Sequence, residues 1–216
     1  MTSLRDIWRA QISIEDYERH MAAAGQAEAN ASLLAELFRD RPPRLGATIL
    51  FAGAGTGQCF DYLAPSVLRR YRTTFADINP AFLSRLSERL LEIDFFTVVD
   101  DIERSRLRGL FDLAIAVLVL EHVDWRKAVA CLSRQARRIF VVLQQDPSEP
   151  APCRLEGSMS LLKEARPVLI DPEELTRALT ALGFDLSATS QRRVADDKTM
   201  LGLDFGARAV RPADQR

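Results

Sequence analysis

Three glycines alternate in Gly53-Ala54-Gly55-Thr56-Gly57, directly after the apolar run Ile49-Leu50-Phe51-Ala52. A second apolar stretch then closes on a carboxylate, Phe75-Ala76-Asp77. Glycines at such a turn let the backbone come up against a ligand that any side chain would hold off. A carboxylate on the next strand can accept hydrogen bonds from both hydroxyls of a ribose, each charge-assisted and worth about 1.5–3 kcal/mol. The glycines could instead serve only a tight turn. Asp77 could cap the following helix, but Asn79-Pro80 already supplies that cap. Loop and acid together predict a nucleoside-binding crevice. His122, one of two histidines, offers a second kind of chemistry. Imidazole titrates in the useful range, so His122 is either a general base for a hydroxyl or amine, or a structural hydrogen-bonding group.

These residues need elements that hold them at one edge. Apolar runs alternate with helical patterns from Thr48 onward, and the expected strands are 48–52, 73–77, 95–99, 111–117 and 138–143. Asn79-Pro80 starts one helix, and Asp124 caps another over 125–135. Val/Ile/Leu-rich strands separated by helices predict a mainly parallel sheet covered on both faces. Two further strands, 184–190 and 199–205, follow each other without a helix and pair antiparallel. The first forty residues read as helices. Ser13 and Asp16 form a capping box with Ile12 and Tyr17 as its staple, Gly25 breaks the segment, and Leu33, Leu34, Leu37 and Phe38 mark one apolar face.

The 216-residue length suits one domain with a helical extension. A net charge of −1 argues against a broad electrostatic hold on nucleic acid or an anionic membrane. Cys59, Cys131 and Cys153 are widely spaced and odd in number, so a disulfide framework or zinc knuckle is not expected and a reducing compartment fits. The start of the chain lacks a signal-like apolar core, and no apolar run is long enough to span a bilayer. The expectation is a soluble, cytoplasmic protein. The pairs Arg69-Arg70, Arg137-Arg138 and Arg192-Arg193 read as solvated positions.

The order of these motifs resembles the class I S-adenosylmethionine-dependent methyltransferases over roughly residues 45–205. Gly53-Ala54-Gly55-Thr56-Gly57-Gln58 is similar to that family's GxGxG loop, and Asp77 to the acid that holds the cofactor's ribose. Asp101-Ile102 is similar to the pair that meets the adenine; Asp101 is preferred to Asp100 because an apolar residue follows it. Phe111-Asp112-Leu113 and Leu120-Glu121-His122-Val123 match the fourth strand and its turn, with Asp112 read as structural. The resemblance implies S-adenosyl-L-methionine as cofactor. It further implies contacts from Ala52, Gly53, Ala54, Gly55, Gly57, Asp77, Ile78, Asp101, Ile102 and Val117, with His122 and Tyr17 at the reacting groups.

The implied fold is α/β: a Rossmann-like, doubly wound sheet of about seven strands, mostly parallel with an antiparallel C-terminal strand, plus an N-terminal helical lid. Residues 1–44 form the lid, starting at Asp16–Met21 with His20 beside Tyr17. Residues 45–216 form the cofactor-binding domain, with a substrate-side insertion over 146–170. Gln144-Gln145 either face the cleft mouth or are ordinary loop residues.

Two departures from the family pattern stand out. Phe51 occupies the place of an acid that usually lies near the cofactor's amino group, so the ammonium must find carbonyls near Ala52 or Gly53. Leu118 occupies the place of a Glu that completes a cation site with Glu121 and His122 in one branch, so no metal is expected. The implied activity is direct in-line transfer of a methyl group to a small-molecule acceptor, by a monomer or homodimer that uses neither nucleic acid nor membrane. Two other readings compete. A nicotinamide-dependent oxidoreductase would need glycine where Gln58 stands, and a non-catalytic S-adenosylmethionine-binding module would share every cofactor motif.

Overall fold

The computed structural model describes residues 4–146, 155–163 and 168–208. Parts of the expected insertion, residues 147–154 and 164–167, lie outside the described residues, as does Cys153. The strands form where apolar runs can be covered. In β1 (Thr48–Ala52) every residue after the first is buried, because it lies between β2 (Arg72–Asp77) and β4 (Leu113–Val117). The seven-stranded sheet has the order β3-β2-β1-β4-β5-β7-β6, with β3 at Phe95–Val99, β5 at Arg138–Gln145, β6 at Phe184–Arg193 and β7 at Thr199–Ala207. Strand order reverses between β1 and β4, and open α/β sheets place their ligand crevice at that point, beyond the strand C-termini.

β7 pairs antiparallel with both β5 and β6, and the short connection from β6 to β7 accounts for the second pairing. The expected coverage on both faces holds for the central strands only. β3 is an edge strand, and Phe96 and Val99 are 67% and 58% exposed. Regular pairing in the fourth strand begins at Leu113; Phe111 makes an isolated bridge to Ala136. Asp112 accepts from the Thr48 N–H and hydroxyl and so has the structural place expected of it.

Helix starts follow their caps. In α5 (Pro80–Arg89) the Asn79 side chain accepts from the Ala81 N–H, and Pro80 supplies a preset φ at the first turn. Asp124 caps α6 (Trp125–Gln135), and Asp171 caps α7 (Pro172–Ala181). Three helices precede the sheet: α1 (Leu4–Ala10), α2 (Ile14–Ala23) and α3 (Gln26–Asp40); between α3 and α5 lies the short α4 (Pro65–Leu68). Gly25 joins α2 to α3 at φ 66°, a conformation that glycine adopts without steric cost. α3 belongs to the sheet's own core, where Leu33 and Leu34 are fully buried with Ile49, Phe75 and Ile115. α1 and α2 rest on a separate apolar cluster containing Ile7, Ile12, Phe82, Met159 and Leu162.

Two expectations are corrected here. Ser13 accepts from the Asp16 N–H, but Asp16 does not reach back to close a capping box. Its carboxylate receives the Ser158 N–H and hydroxyl instead, at 2.7 and 2.8 Å, and these donors hold it at about 2. The Ser13 N–H also turns to Ser158. A neighbour across the chain thus takes the donor and the acceptor of the box's return half. The arginine pairs are not all solvated. Arg138 forks onto Asp204 at 2.8 and 2.6 Å, and Asp204 is 1% exposed. Removing one partner of such a buried pair costs about 3–5 kcal/mol. Arg192 reaches Ser32 and Glu36 and ties β6 to α3.

Candidate functional site

The glycine loop is anchored on both sides. The N–H groups of Gly53 and Ala54 donate to the Ala76 carbonyl at 2.8 and 3.0 Å, fixing the loop to the end of β2. Gly53, Gly55 and Gly57 all have positive φ, at 70°, 59° and 71°. The protein itself also needs two of these glycines bare. A Cβ on Gly53 would overlap Val119, and one on Gly55 would lie 2.8 Å from the Tyr17 hydroxyl.

Asp77 locks this arrangement. Its carboxylate accepts from the Gly55 N–H at 2.8 Å and from the Asn79 N–H at 2.9 Å. Burial lifts the carboxyl to about 6, against the downward pull of those N–H groups. Each carboxylate oxygen carries two lone-pair sites and spends one on the backbone, so capacity for two hydroxyl donors remains. Ile78 follows directly, and Asn79 donates from Nδ2 to the Trp8 carbonyl of α1 at 3.0 Å.

Beyond β3 the neighbouring acids divide their work. Asp101 caps a short 3-10 turn by accepting from the Glu103 N–H, and its other oxygen pairs with Arg5 at 2.7 Å. Asp100 and Ile102 line a small cavity with Ala52, Gly53, Ala76 and Gln135. The Oε1 atom of Gln135 is buried there without a partner.

A second cavity lies on the other side of Gly53. Tyr17, Asn30, Phe51, Gln58, Val117 and Leu118 are among its walls. Phe51 fits its position for a packing reason: its ring stacks on Phe75 at 5.1 Å and meets Phe60 edge-on at 5.3 Å. A carboxylate there would be buried among aromatic rings. Leu118 has a φ of 51°, a strained value for a branched residue that turns the chain sharply after β4.

Tyr17, a wall of this cavity, belongs to a cluster of aromatic rings. Tyr17 packs on Phe82 with ring centroids 4.9 Å apart, and Trp8 meets the His122 ring edge-on at 4.7 Å. Burial raises the Tyr17 phenol well above its usual value and lowers His122 to about 4. His122 Nδ1 and Trp8 Nε1 are buried without partners. Burial also lowers His20, with Lys198 adding to the effect. Glu121 is 4% exposed, accepts from the Gln144 N–H at 2.8 Å, and is raised by burial to about 7. The glutamines are half-buried and internally bonded: Gln144 joins Gln26 and Asp146, and Gln145 donates to the Ile170 carbonyl. Among the described residues, no group of three or more His, Cys, Asp or Glu could hold a metal ion.

Residues 50–139 match the model of a methyltransferase domain family. That segment carries the signature of a methyltransferase domain. Among curated proteins no sequence matches the chain. Solved structures agree on the fold. Magnesium protoporphyrin IX methyltransferase (ChlM) of Synechocystis PCC 6803, with bound S-adenosylmethionine, aligns at a TM-score of 0.70 and 14% identity, over 95% of both chains. Phosphoethanolamine N-methyltransferase 2 of Haemonchus contortus, with phosphomonomethylethanolamine and S-adenosylhomocysteine, gives 0.70 at 17% identity over 96% of this chain and 60% of that one. The N-methyltransferase NodS of Bradyrhizobium japonicum WM9, with S-adenosylhomocysteine, gives 0.61 at 16%, over 89% and 87%.

These solved methyltransferases hold S-adenosylmethionine or S-adenosylhomocysteine, and the features of this site fit such a ligand. Orphaned polar atoms line both cavities, and Asp77 keeps spare acceptor capacity beside the glycine loop. The fold brings Ala52, Gly53, Ala54, Gly57, Val117 and Tyr17 around one cavity, and Asp100 and Ile102 around the other. Asp101 is set apart from the second group, tied to Arg5. Trp8, Arg5 and Asn30 were not singled out in the sequence. Asn30 had a signal, as a polar residue on a face with Ala27, Leu33 and Leu34. Trp8 and Arg5 had none, because only folding brings α1 to the strand ends.

Proposed function

We propose that the methyltransferase domain moves the methyl group of S-adenosylmethionine to a small-molecule acceptor by direct in-line displacement. The observation that carries this reading is the Asp77–Gly55 bond, which makes the ribose acid and the glycine loop one cradle at the switch point of the sheet. The relatives with named acceptors, a magnesium porphyrin and a phosphoethanolamine, support a small-molecule acceptor. Bound in the cradle, S-adenosylmethionine supplies an electrophilic methyl on its sulfonium.

Asp77 accepts the ribose hydroxyls, with Ile78 beside it. Ala52, Gly53, Ala54, Gly55 and Gly57 give the methionine end close backbone approach. Ile102 and Asp101 receive the adenine, Asp101 from its place beside Arg5. Val117 walls the reacting centre. Tyr17 and Trp8 exclude water from above, and a dry, aligned site is the main contribution such an enzyme makes. His122 is uncharged at neutral pH, so its ring nitrogen can accept a proton or hydrogen bond from the acceptor. α1 and α2 act as the lid, and the described part of 146–170 packs against them, which supports an acceptor site between the two. Free Cys59 and Cys131 support a reducing, cytoplasmic setting for a monomer or homodimer. No described helix is long and apolar enough to cross a membrane.

Calorimetry with S-adenosylhomocysteine and NAD tests the cofactor, with NAD expected to bind far more weakly; tighter NAD binding would overturn it. Turnover is then read as S-adenosylhomocysteine released with a panel of amines, phenols and carboxylates. Cofactor binding without turnover on any acceptor class would leave a binding module in place of an enzyme.

A further inference from the structure

We infer that Asn30 and Gln58 together replace the missing β1 carboxylate, and that their amide oxygens receive the ammonium group of the cofactor's methionine end. This inference deepens the proposed function and rests on its cofactor. Phe51 holds the position from which an acid would reach that ammonium, and its ring is locked between Phe60 and Phe75. A cation must then find acceptors elsewhere in the same cavity. Asn30, on α3, is 1% exposed, and its Oδ1 has no partner. Gln58, just past the glycine loop, also has a buried Oε1 without a partner. Both side chains line the cavity that Gly53, Ala54 and Gly57 share with Phe51.

The orientation of Gln58 is set by chemistry. Its Nε2 donates to the Glu18 carbonyl of α2 at 3.0 Å, and a carbonyl can only accept, so the amide oxygen must be the atom left over. Two buried oxygens without donors ask for a ligand group rich in N–H, and an ammonium offers three. Glu18, adjacent to Tyr17 in sequence, already holds Arg85 and Arg89. The same Gln58 bond couples the site to the lid, because α2 orients the oxygen.

The full-length protein is titrated calorimetrically with S-adenosylhomocysteine, with its analogue bearing hydrogen in place of the amino group, and with methylthioadenosine, which lacks the amino-acid end. Wild type is expected to prefer S-adenosylhomocysteine to the deaminated analogue by at least about tenfold, as charge-assisted bonds imply. Asn30→Ala and Gln58→Ala should each erase most of that preference and leave methylthioadenosine binding unchanged. Asn30→Asp, which also serves if the alanine variant does not fold, should keep or increase it. Variants that bind methylthioadenosine normally and retain the wild-type preference would overturn this inference alone. Loss in only one alanine variant would overturn the other residue's part. Failure of wild type to bind any of the three ligands would overturn the underlying cofactor reading.

Discussion

The Arg5 guanidinium lies 2.7 Å from the Asp101 carboxylate, so the first helix is fastened to the end of β3. Trp8 adds a second tie through its carbonyl to Asn79, and Glu18 a third through Arg85 and Arg89. The pairs are partly exposed and individually weak, about 0–1 kcal/mol each for the solvated ones. Their importance lies in position, since they join the two N-terminal helices to β2, β3 and α5 around the mouth of the crevice.

Deleting residues 1–24 therefore tests the lid. The remaining chain keeps α3 and the main core and is expected to fold, to bind S-adenosylhomocysteine more weakly and to lose turnover. Hydrogen exchange of the intact protein should show α1 and α2 gaining protection when cofactor binds. Unchanged exchange together with normal turnover of the truncated chain would sink the lid.

Asp77→Ala should weaken cofactor binding by about 2–3 kcal/mol through the lost ribose bonds. It should also destabilise the protein, because the Gly55 and Asn79 N–H groups lose a buried acceptor worth about 1–3 kcal/mol. Asp77→Asn leaves one carbonyl acceptor and should recover part of the stability. Calorimetry and urea unfolding of both variants separate the effects; unaltered affinity in Asp77→Ala would place the ribose elsewhere.

Stability should respond to pH through His122 and Glu121 in opposite directions. His122 falls from 6.5 to about 4 on folding, so the unfolded chain takes up its proton first. Its contribution is present above 6.5 and is lost as pH falls toward 4. Glu121 rises from 4.5 to about 7, so its contribution is present below 4.5 and is lost as pH rises through 7. In urea unfolding at several pH values, Glu121→Gln should gain on wild type between pH 4.5 and 7. His122→Asn should gain on it as pH falls from 6.5 to 4. Differences that do not vary with pH would show that these groups do not titrate as burial requires.

Turnover should survive exhaustive chelation. Leu118 presents no ligand beside Glu121 and His122, and Glu121 is engaged by the Gln144 N–H. Activity lost to a chelator and restored by magnesium or zinc would reveal a site built from other residues.

The alternation of apolar runs and capped helices determined the sheet, because strand patterning and helix starts are written in residues close in sequence. Caps at Asn79, Asp124 and Asp171 stand where short-range hydrogen bonds put them. The glycine loop and Asp77 were readable for the same reason, since one strand–turn–helix unit carries both. What the crevice holds above and behind that loop was decided only in three dimensions. Trp8 reaches His122, Arg5 reaches Asp101, and Asn30 and Gln58 turn bare oxygens into one cavity across stretches of chain that share no local pattern. Phe51 looked like a defect in a motif, and packing makes it a core residue. A side chain's partners across the fold follow from how helices are laid on the sheet, and no periodicity in the sequence records that.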